Sequence, residues 1–297
     1  MLTLLVIALM VSGCSSKGQP SAVTSLVGAG ATFPYPLYSK MFDTYDASTG
    51  VRVNYNSIGS GGGIKALTDK TVDFGASDAF LTDPEALAMG APVLHIPTCV
   101  GAVVLSYNLD GSPALKLDGT VLAGIFLGKV VKWNDPSIVA LNPGLSLPDV
   151  AITVVHRSDG SGTTSIFATY LAAVSPSWKS TVGAGKSVSW PTGIGGKGND
   201  GVAAMISQTK GSIGYIELVY AVQSSMPSAS LKNASGTFVT PSLASSAAAA
   251  AVSLPDNLRT SIVNGPGPDA YPIGAFTWLL VYKKQNWEVI QCRRIIN

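Results

Sequence analysis

Three times in this chain a short β-type run ends in a cluster of Gly, Ser and Thr, and a helical pattern begins at once: at residues 28–33, 59–63 and 159–164. A strand that feeds straight into a helix must cross the sheet before the next strand starts, which favours parallel pairing and an α/β fold. The same alternation runs through the rest of the sequence. Strand patterns at 25–27, 51–55, 72–76, 93–106, 152–156, 213–217 and 271–282 are interleaved with helical patterns at 34–47, 64–68, 163–173 and 202–208, and Asp83-Pro84-Glu85 reads as a helix start. A largely parallel sheet is expected, with the late strand at 271–282 crossing back to the first domain. The Ser, Ala and Pro-rich stretch 224–251 reads either as a surface insertion or as a weak helix around 247–252, without a function.

At 297 residues the chain is long enough for two domains with separate cores. Only 12% of the residues are charged and the net charge is +2, with no basic run, so the electrostatic footprint of a nucleic-acid binder is missing. His95 and His156 are the only histidines and no Cys-x-x-Cys occurs, which argues against a structural metal site and leads to no cofactor being expected. If Cys14 is used elsewhere, one bridge between Cys99 and Cys292 is possible, but a disulfide framework is not.

Residues 2–11 form an apolar run shorter than the roughly twenty residues a bilayer span needs, but of the right size for a signal-peptide core. Val11-Ser12-Gly13-Cys14 follows and resembles a lipoprotein processing box. This divides the start into a signal peptide (1–13) and a flexible tether (14–24), with Cys14 carrying the lipid; a buried N-terminal strand is the alternative. The remainder is then exported and held at the outer side of the membrane through Cys14.

The three turns share a chemistry. Glycines let backbone approach a ligand, hydroxyls donate hydrogen bonds, and helix N-termini present free N–H groups at the positive end of the dipole. Brought together they would make an anion site, although any one of them could equally be an ordinary helix cap. Residues 28–33 imitate a dinucleotide fingerprint, but the third Gly is absent, and no Gly-Lys-Ser/Thr completes a P-loop. The third turn adds a cation: Arg157 lies two residues before Asp159, which could orient its fork toward an oxyanion; a solvated Arg–Asp pair is the other reading. Asp78 looks out of place beside an anion unless that anion carries a proton. An ionised carboxylate only accepts hydrogen bonds, so Asp78 would favour phosphate over sulfate; alone, it could be a turn or cap residue. A hydrolase using Ser161 as nucleophile with His156 and an Asp is a competing class, but Gly160-Ser161-Gly162 is not the nucleophile elbow and His156 lies only five positions upstream. A binder of another oxyanion and an adhesin that has kept the fold are the remaining alternatives.

The motifs Gly28-Ala-Gly-Ala-Thr-Phe-Pro34, Val53-Asn-Tyr-Asn-Ser-Ile-Gly-Ser60, Val72-Asp-Phe-Gly-Ala-Ser-Asp78, Leu127-Gly-Lys129 with Lys132-Trp-Asn134, Arg157-Ser-Asp-Gly-Ser-Gly-Thr163 and Gly195-Gly-Lys-Gly-Asn-Asp-Gly201 occur in this order. With them the chain closely resembles the substrate-binding proteins of Pst-type ABC phosphate importers. The resemblance implies a two-lobed periplasmic-binding-protein fold, with a hinge and a ligand cleft between lobe one (25–105 plus 270–297) and lobe two (106–269). It implies a single copy that binds inorganic phosphate and delivers it to the membrane subunits of an ABC permease, without catalysis. Thr32, Phe33, Ser60, Ser161, Gly162 and Thr163 would donate to phosphate, Arg157 would supply the cation oriented by Asp159, and Asp78 would accept the phosphate proton. The cluster at 195–201 is expected only to shape a turn. From Lys283 onward the sequence departs from the family pattern and reads as a truncation or frame change, which would leave lobe one without helices that complete it.

Overall fold

The computed structural model describes residues 25–284. The signal and tether readings, Cys14, Cys292 with its possible bridge, and the tail 285–297 lie outside the described residues.

The elements run β1 (Ser25–Gly30), α1 (Tyr35–Thr49), β2 (Arg52–Ser57), α2 (Ser60–Thr68), β3 (Phe74–Ser77), α3 (Asp83–Ala88) and β4 (Val93–Tyr107) in the first part of the chain. Then come β5 (Lys116–Leu117), α4 (Gly119–Phe126), α5 (Pro136–Leu141), β6 (Thr153–Arg157), α6 (Gly162–Val174), α7 (Pro176–Thr181), β7 (Ile194–Gly196), α8 (Gly198–Gln208), β8 (Ser212–Glu217) and α9 (Leu218–Gln223). The chain closes with β9 (Ser230–Lys232), β10 (Phe238–Val239), α10 (Leu243–Ala249) and β11 (Gly274–Tyr282). No helix among the described residues is long and apolar enough to cross a membrane.

Eight strands form one continuous ladder in the order β2-β1-β3-β11-β4-β8-β6-β7. It consists of two parallel trios, β2-β1-β3 and β8-β6-β7, joined through a central antiparallel pair. The sheet is therefore mixed rather than largely parallel, because β4 and the returning β11 each run against their neighbours. The long β4 belongs to both sides: residues 93–102 pair with β11 and residues 103–107 with β8. The expected return of the late strand to the first trio is what the register shows, with Leu279 opposite Ala76.

The core divides accordingly. The largest cluster packs Leu105, Phe126, Trp133, Phe167, Trp178 and Tyr215 around the second trio, and smaller clusters built on Leu67, Trp278 and Leu280, and on Leu26 and Phe74, serve the first.

The second glycine cluster is not a turn followed by a helix from residue 64: α2 already begins at Ser60, and Gly59, at φ +83°, is its N-cap. The glycines are inside the helix because the helix lies close to other backbone; a Cβ at Gly63 would come within 2.4 Å of Gly30 Cα and 2.5 Å of the Ala29 carbonyl. Nor is 224–251 a surface insertion. Leu231 of β9 is fully buried, and α10 starts at Leu243, four residues before the expected helix, because Ser242 and Ser245 form a reciprocal capping pair. Ala249 then packs into the first trio's core.

The close seating of α2 on β1 has a measurable consequence. Gly63→Ala should destabilise the protein by about 1–3 kcal/mol, the cost of overpacking against unyielding backbone, as read from urea unfolding midpoints. A variant as stable as the wild type would contradict the packing.

Candidate functional site

Each trio delivers its polar turns at the C-terminal ends of its parallel strands, where open α/β sheets place their ligands. From the first trio Thr32 and Phe33 follow β1, Ser60 follows β2, and Asp78 follows β3. From the second, residues 159–163 follow β6, Asn199 follows β7, and Glu217 ends β8.

Arg157, the last residue of β6, has a side chain only 1% exposed. Its Nε donates to Asp159 Oδ1 at 2.8 Å and its Nη2 to Oδ2 at 2.5 Å, a two-point pairing that fixes the plane of the fork. Nη1, on the other edge, lies 3.4 Å from Thr163 Oγ1. The Arg157 main-chain N–H donates to the Tyr215 hydroxyl at 3.0 Å, and Asp159 also accepts from Gly198 N–H at 3.1 Å. Burial would raise the Asp159 carboxyl, but its hydrogen bonds to Arg157 and that residue's charge outweigh burial and hold it below its ordinary value. This is a buried, partnered ion pair, not a solvated one.

Asp78 is fully enclosed. Its Oδ1 accepts from Thr277 Oγ1 at 2.7 Å, its Oδ2 lies 3.4 Å from Ser60 Oγ, and its N–H donates to the same hydroxyl at 3.2 Å. Burial pushes its pKa up to about 7, against the opposing pull of Thr277, the Arg157 charge and Ser60. Glu217 is a second buried acid: burial lifts it to about 8, despite the bond it accepts from Val219 N–H, and the Asp78 charge adds to the rise.

At the start of α6, Ser161 is the N-cap: its Oγ accepts from Thr164 N–H at 3.0 Å, which leaves its own O–H free to donate. Gly162 and Thr163 are the first two helical residues, whose N–H groups have no acceptor within the helix. Gly162 has no room for a side chain, since a Cβ would stand 2.4 Å from Ser60 Oγ and 2.5 Å from Asp78 Oδ2. Phe33 turns its ring away into the large core cluster, against Gly101.

The two trios touch directly here. Gly61 N–H donates to the Gly160 carbonyl at 2.8 Å, Tyr220 OH donates to the Thr32 carbonyl at 2.5 Å, and Lys186 pairs with Glu85 at 2.9 Å. The arrangement is closed, with Thr32, Ser60, Asp78, Arg157, Ser161 and Thr163 all buried.

Asn199 is a residue that sequence reasoning missed, because residues 195–201 were expected only to form a turn. Fully buried, it donates from Nδ2 to Thr32 Oγ1 at 2.7 Å and to Thr163 Oγ1 at 3.2 Å. The signal was present: a strand, glycines and a helix start, the same design as the other three turns. Thr277 and Tyr220 were also missed, and they carry no comparable signal, one in an apolar strand and the other in a six-residue helix.

The Ser–His pair that a hydrolase would need is not formed. Ser161 is committed to its cap, while His156 stacks on Trp190 at 4.8 Å with its Nδ1 3.0 Å from the Arg157 carbonyl. What the site offers is a fixed cation, several hydroxyls, helix-start N–H groups and the enclosed Asp78 carboxyl at the glycine start of α6, a set suited to holding a small oxyanion.

Comparisons agree with this geometry. A family model described as the PBP superfamily domain matches residues 15–293. Among solved structures, a high-affinity periplasmic phosphate-binding protein bound with phosphate superposes with a TM-score of 0.71 at 22% identity, covering 91% of this chain and 83% of that one. An ABC-type phosphate transport receptor from Vibrio cholerae gives 0.58 at 16% identity, covering 91% of each. At such identities these show the two-lobed fold alone. Sequence relatives are much nearer: the phosphate-binding protein PstS of Pasteurella multocida is 49% identical over 94% of this chain and 81% of its own length. That of Methanocaldococcus jannaschii is 38% identical over 96% and 81%. The chain belongs to the PstS family of phosphate-binding proteins within the PBP superfamily.

Proposed function

We propose that this protein binds inorganic phosphate outside the cytoplasmic membrane and hands it to the membrane subunits of an ABC permease. The observation that carries the reading is the meeting of buried Arg157 and buried Asp78 at the glycine start of α6. A cation with helix-start N–H groups attracts any oxyanion, whereas an enclosed carboxylate tolerates only one that brings a proton. In this reading Arg157 and the donors of Thr32, Phe33, Ser60, Ser161, Gly162 and Thr163 hold phosphate, Asp159 orients Arg157, and Asp78 accepts the phosphate proton. The ligand is bound, not turned over.

Lobe one comprises residues 25–105 with the returning segment from 270, and lobe two residues 106–269. Closure of the lobes is the form a permease would recognise. The chain works as a single copy, is exported behind a signal peptide at 1–13, and is held to the membrane by lipid on Cys14 through the tether 14–24.

Calorimetric titration tests the core of the proposal. The wild type should take up phosphate and ignore sulfate, and Asp78→Asn should bring the two anions within about tenfold of each other, roughly what one charge-assisted contact is worth. Silence toward phosphate in a folded wild type would sink the reading, and unchanged discrimination in Asp78→Asn would remove Asp78 from it. Anchoring is checked separately: the full chain expressed in a lipoprotein-processing host should partition into the detergent phase, and Cys14→Ser should move it to the aqueous phase.

Proton linkage gives an independent check without ligand. Asp78 at about 7 and Glu217 at about 8, against ordinary values of 3.8 and 4.5, mean that the folded chain keeps protons the unfolded chain has released. Stability should therefore fall as pH rises from about 4 to 8. In phosphate-free buffer Asp78→Asn should flatten the part of this decline below about pH 7, as followed by Tm; parallel Tm profiles for variant and wild type would contradict the burial assigned to Asp78.

A further inference from the structure

Asn199 joins Thr32 of the first trio to Thr163 and Glu217 of the second, and the geometry of its amide fixes what each contact does. Its Oδ1 accepts from the Glu217 N–H at 2.9 Å, which fixes which end of the amide is which and leaves the Nδ2 group to face Thr32 and Thr163. Thr32 Oγ1 accepts from Nδ2 at 2.7 Å and from the Asn199 main-chain N–H at 3.3 Å. Thr163 Oγ1 accepts from Nδ2 at 3.2 Å and from Arg157 Nη1 at 3.4 Å.

A threonine hydroxyl has two lone pairs and one proton. Both lone pairs of Thr32 and both of Thr163 face N–H donors, none of which can accept. Each hydroxyl is left with a single capacity, to donate. Without this constraint a hydroxyl rotates freely and offers a lone pair as readily as a proton, and a lone pair directed at an anion is repulsive.

We propose that Asn199 is a positioning residue that makes Thr32 on lobe one and Thr163 on lobe two obligate donors toward the bound anion. The proposal rests on the phosphate reading above and deepens it: Asn199 helps to set the site's preference for an anion rich in acceptor oxygens. The bond from Asn199 to Thr32 also spans the lobes, so the orientation of Thr32 is completed only when they are together.

Asn199→Asp is the decisive variant. An aspartate keeps the oxygen that accepts from Glu217 N–H but replaces the donor with an acceptor, so the hydroxyls of Thr32 and Thr163 are drawn toward residue 199 and away from the ligand. Phosphate affinity would be measured by calorimetry on the full chain for the wild type, Thr32→Val, Asn199→Asp and the double variant, with Tm in phosphate-free buffer recorded for each. Thr32→Val should weaken binding about tenfold in the wild-type background, and by less than about twofold once residue 199 is Asp, because Thr32 no longer donates to the ligand. Simple charge repulsion or a loss of fold would lower affinity while leaving the Thr32 penalty intact. The cycle repeated with Asn199→Ala, which adds no charge and leaves the hydroxyl free to rotate, should shrink that penalty, but by less than Asn199→Asp does. Equal Thr32 penalties in all backgrounds, or wild-type affinity in Asn199→Asp, would overturn the role given to Asn199 and leave the phosphate reading standing; a wild type that binds no phosphate would overturn the reading itself.

Discussion

A guanidinium removed from water is the constraint on which the rest of this site depends. Arg157 is 1% exposed, and leaving such a charge unpaired would cost several kcal/mol. Asp159 answers it, and almost everything around the pair keeps that answer in place: Tyr215 holds the Arg157 main chain, Gly198 N–H holds Asp159, and Gly59 is kept bare because a Cβ would strike Asp159 Oδ2 at 2.3 Å. The pairing also means that Arg157 brings no excess charge. With the Asp78 carboxyl pushed up to about 7 by burial, the enclosure carries little net charge near neutrality before any ligand enters. The attraction for an anion then comes from oriented dipoles, the N–H groups at the start of α6 and the hydroxyls around it, and dipoles act only when they are aimed.

The sheet supplies the aim. Its two parallel trios are built alike: a central strand, an outer strand and an inner strand, each ending in a turn that reaches the site. Ser60 after β2 has its counterpart in Asn199 after β7, and Asp78 after β3 has its counterpart in Glu217 at the end of β8. The two acids stand on the strands nearest the antiparallel centre, where burial is deepest, and both are pushed up toward neutrality. The central strands are not passive. The β11 register shifts between Thr277 and Trp278, and such irregularities re-aim side chains; Thr277 is the residue that binds Asp78 Oδ1. One carboxylate oxygen is thereby occupied, and the other is left toward Ser60 and the glycine start of α6.

Much of this was legible in the sequence, because a strand, a glycine-rich turn and a helix start follow from local chemistry. Seven strands and the principal helices lie where the periodicity places them, and Thr32, Ser60, Asp78, Arg157 and the 161–163 turn are brought together as the motifs suggest. What escaped depends on long-range placement. The glycines at 61–63 read as a loop because their helix is made possible by the backbone it packs against, not by their own propensity. The helix α10 begins before the position its poly-Ala run suggests, because Ser242 and Ser245 cap it four residues earlier. Asn199 sits in a segment that reads only as a turn, although its surroundings repeat the pattern of the other three turns. Thr277 had no pattern at all, since its role comes from a partner 199 residues away.

The same hydrogen bonds serve two purposes, and this has a consequence for how such a protein must work. Asn199 to Thr32, Gly61 to Gly160 and Tyr220 to Thr32 both complete the enclosure and join the lobes. Separating the lobes would break them together, releasing the Thr32 hydroxyl to rotate and exposing Asp78 to water, which would return its carboxyl toward its ordinary value. An open form would thus hold a solvated, ionised acid and an unaimed hydroxyl, while the closed form holds an acid whose burial favours sharing a proton, and aimed donors. A ligand with a proton to give and oxygens to receive interacts differently with the two, and that difference is what a ligand requires to shift such an equilibrium. In this proposal selectivity and closure are one event, because the groups that recognise the anion acquire their final chemistry only in the closed arrangement.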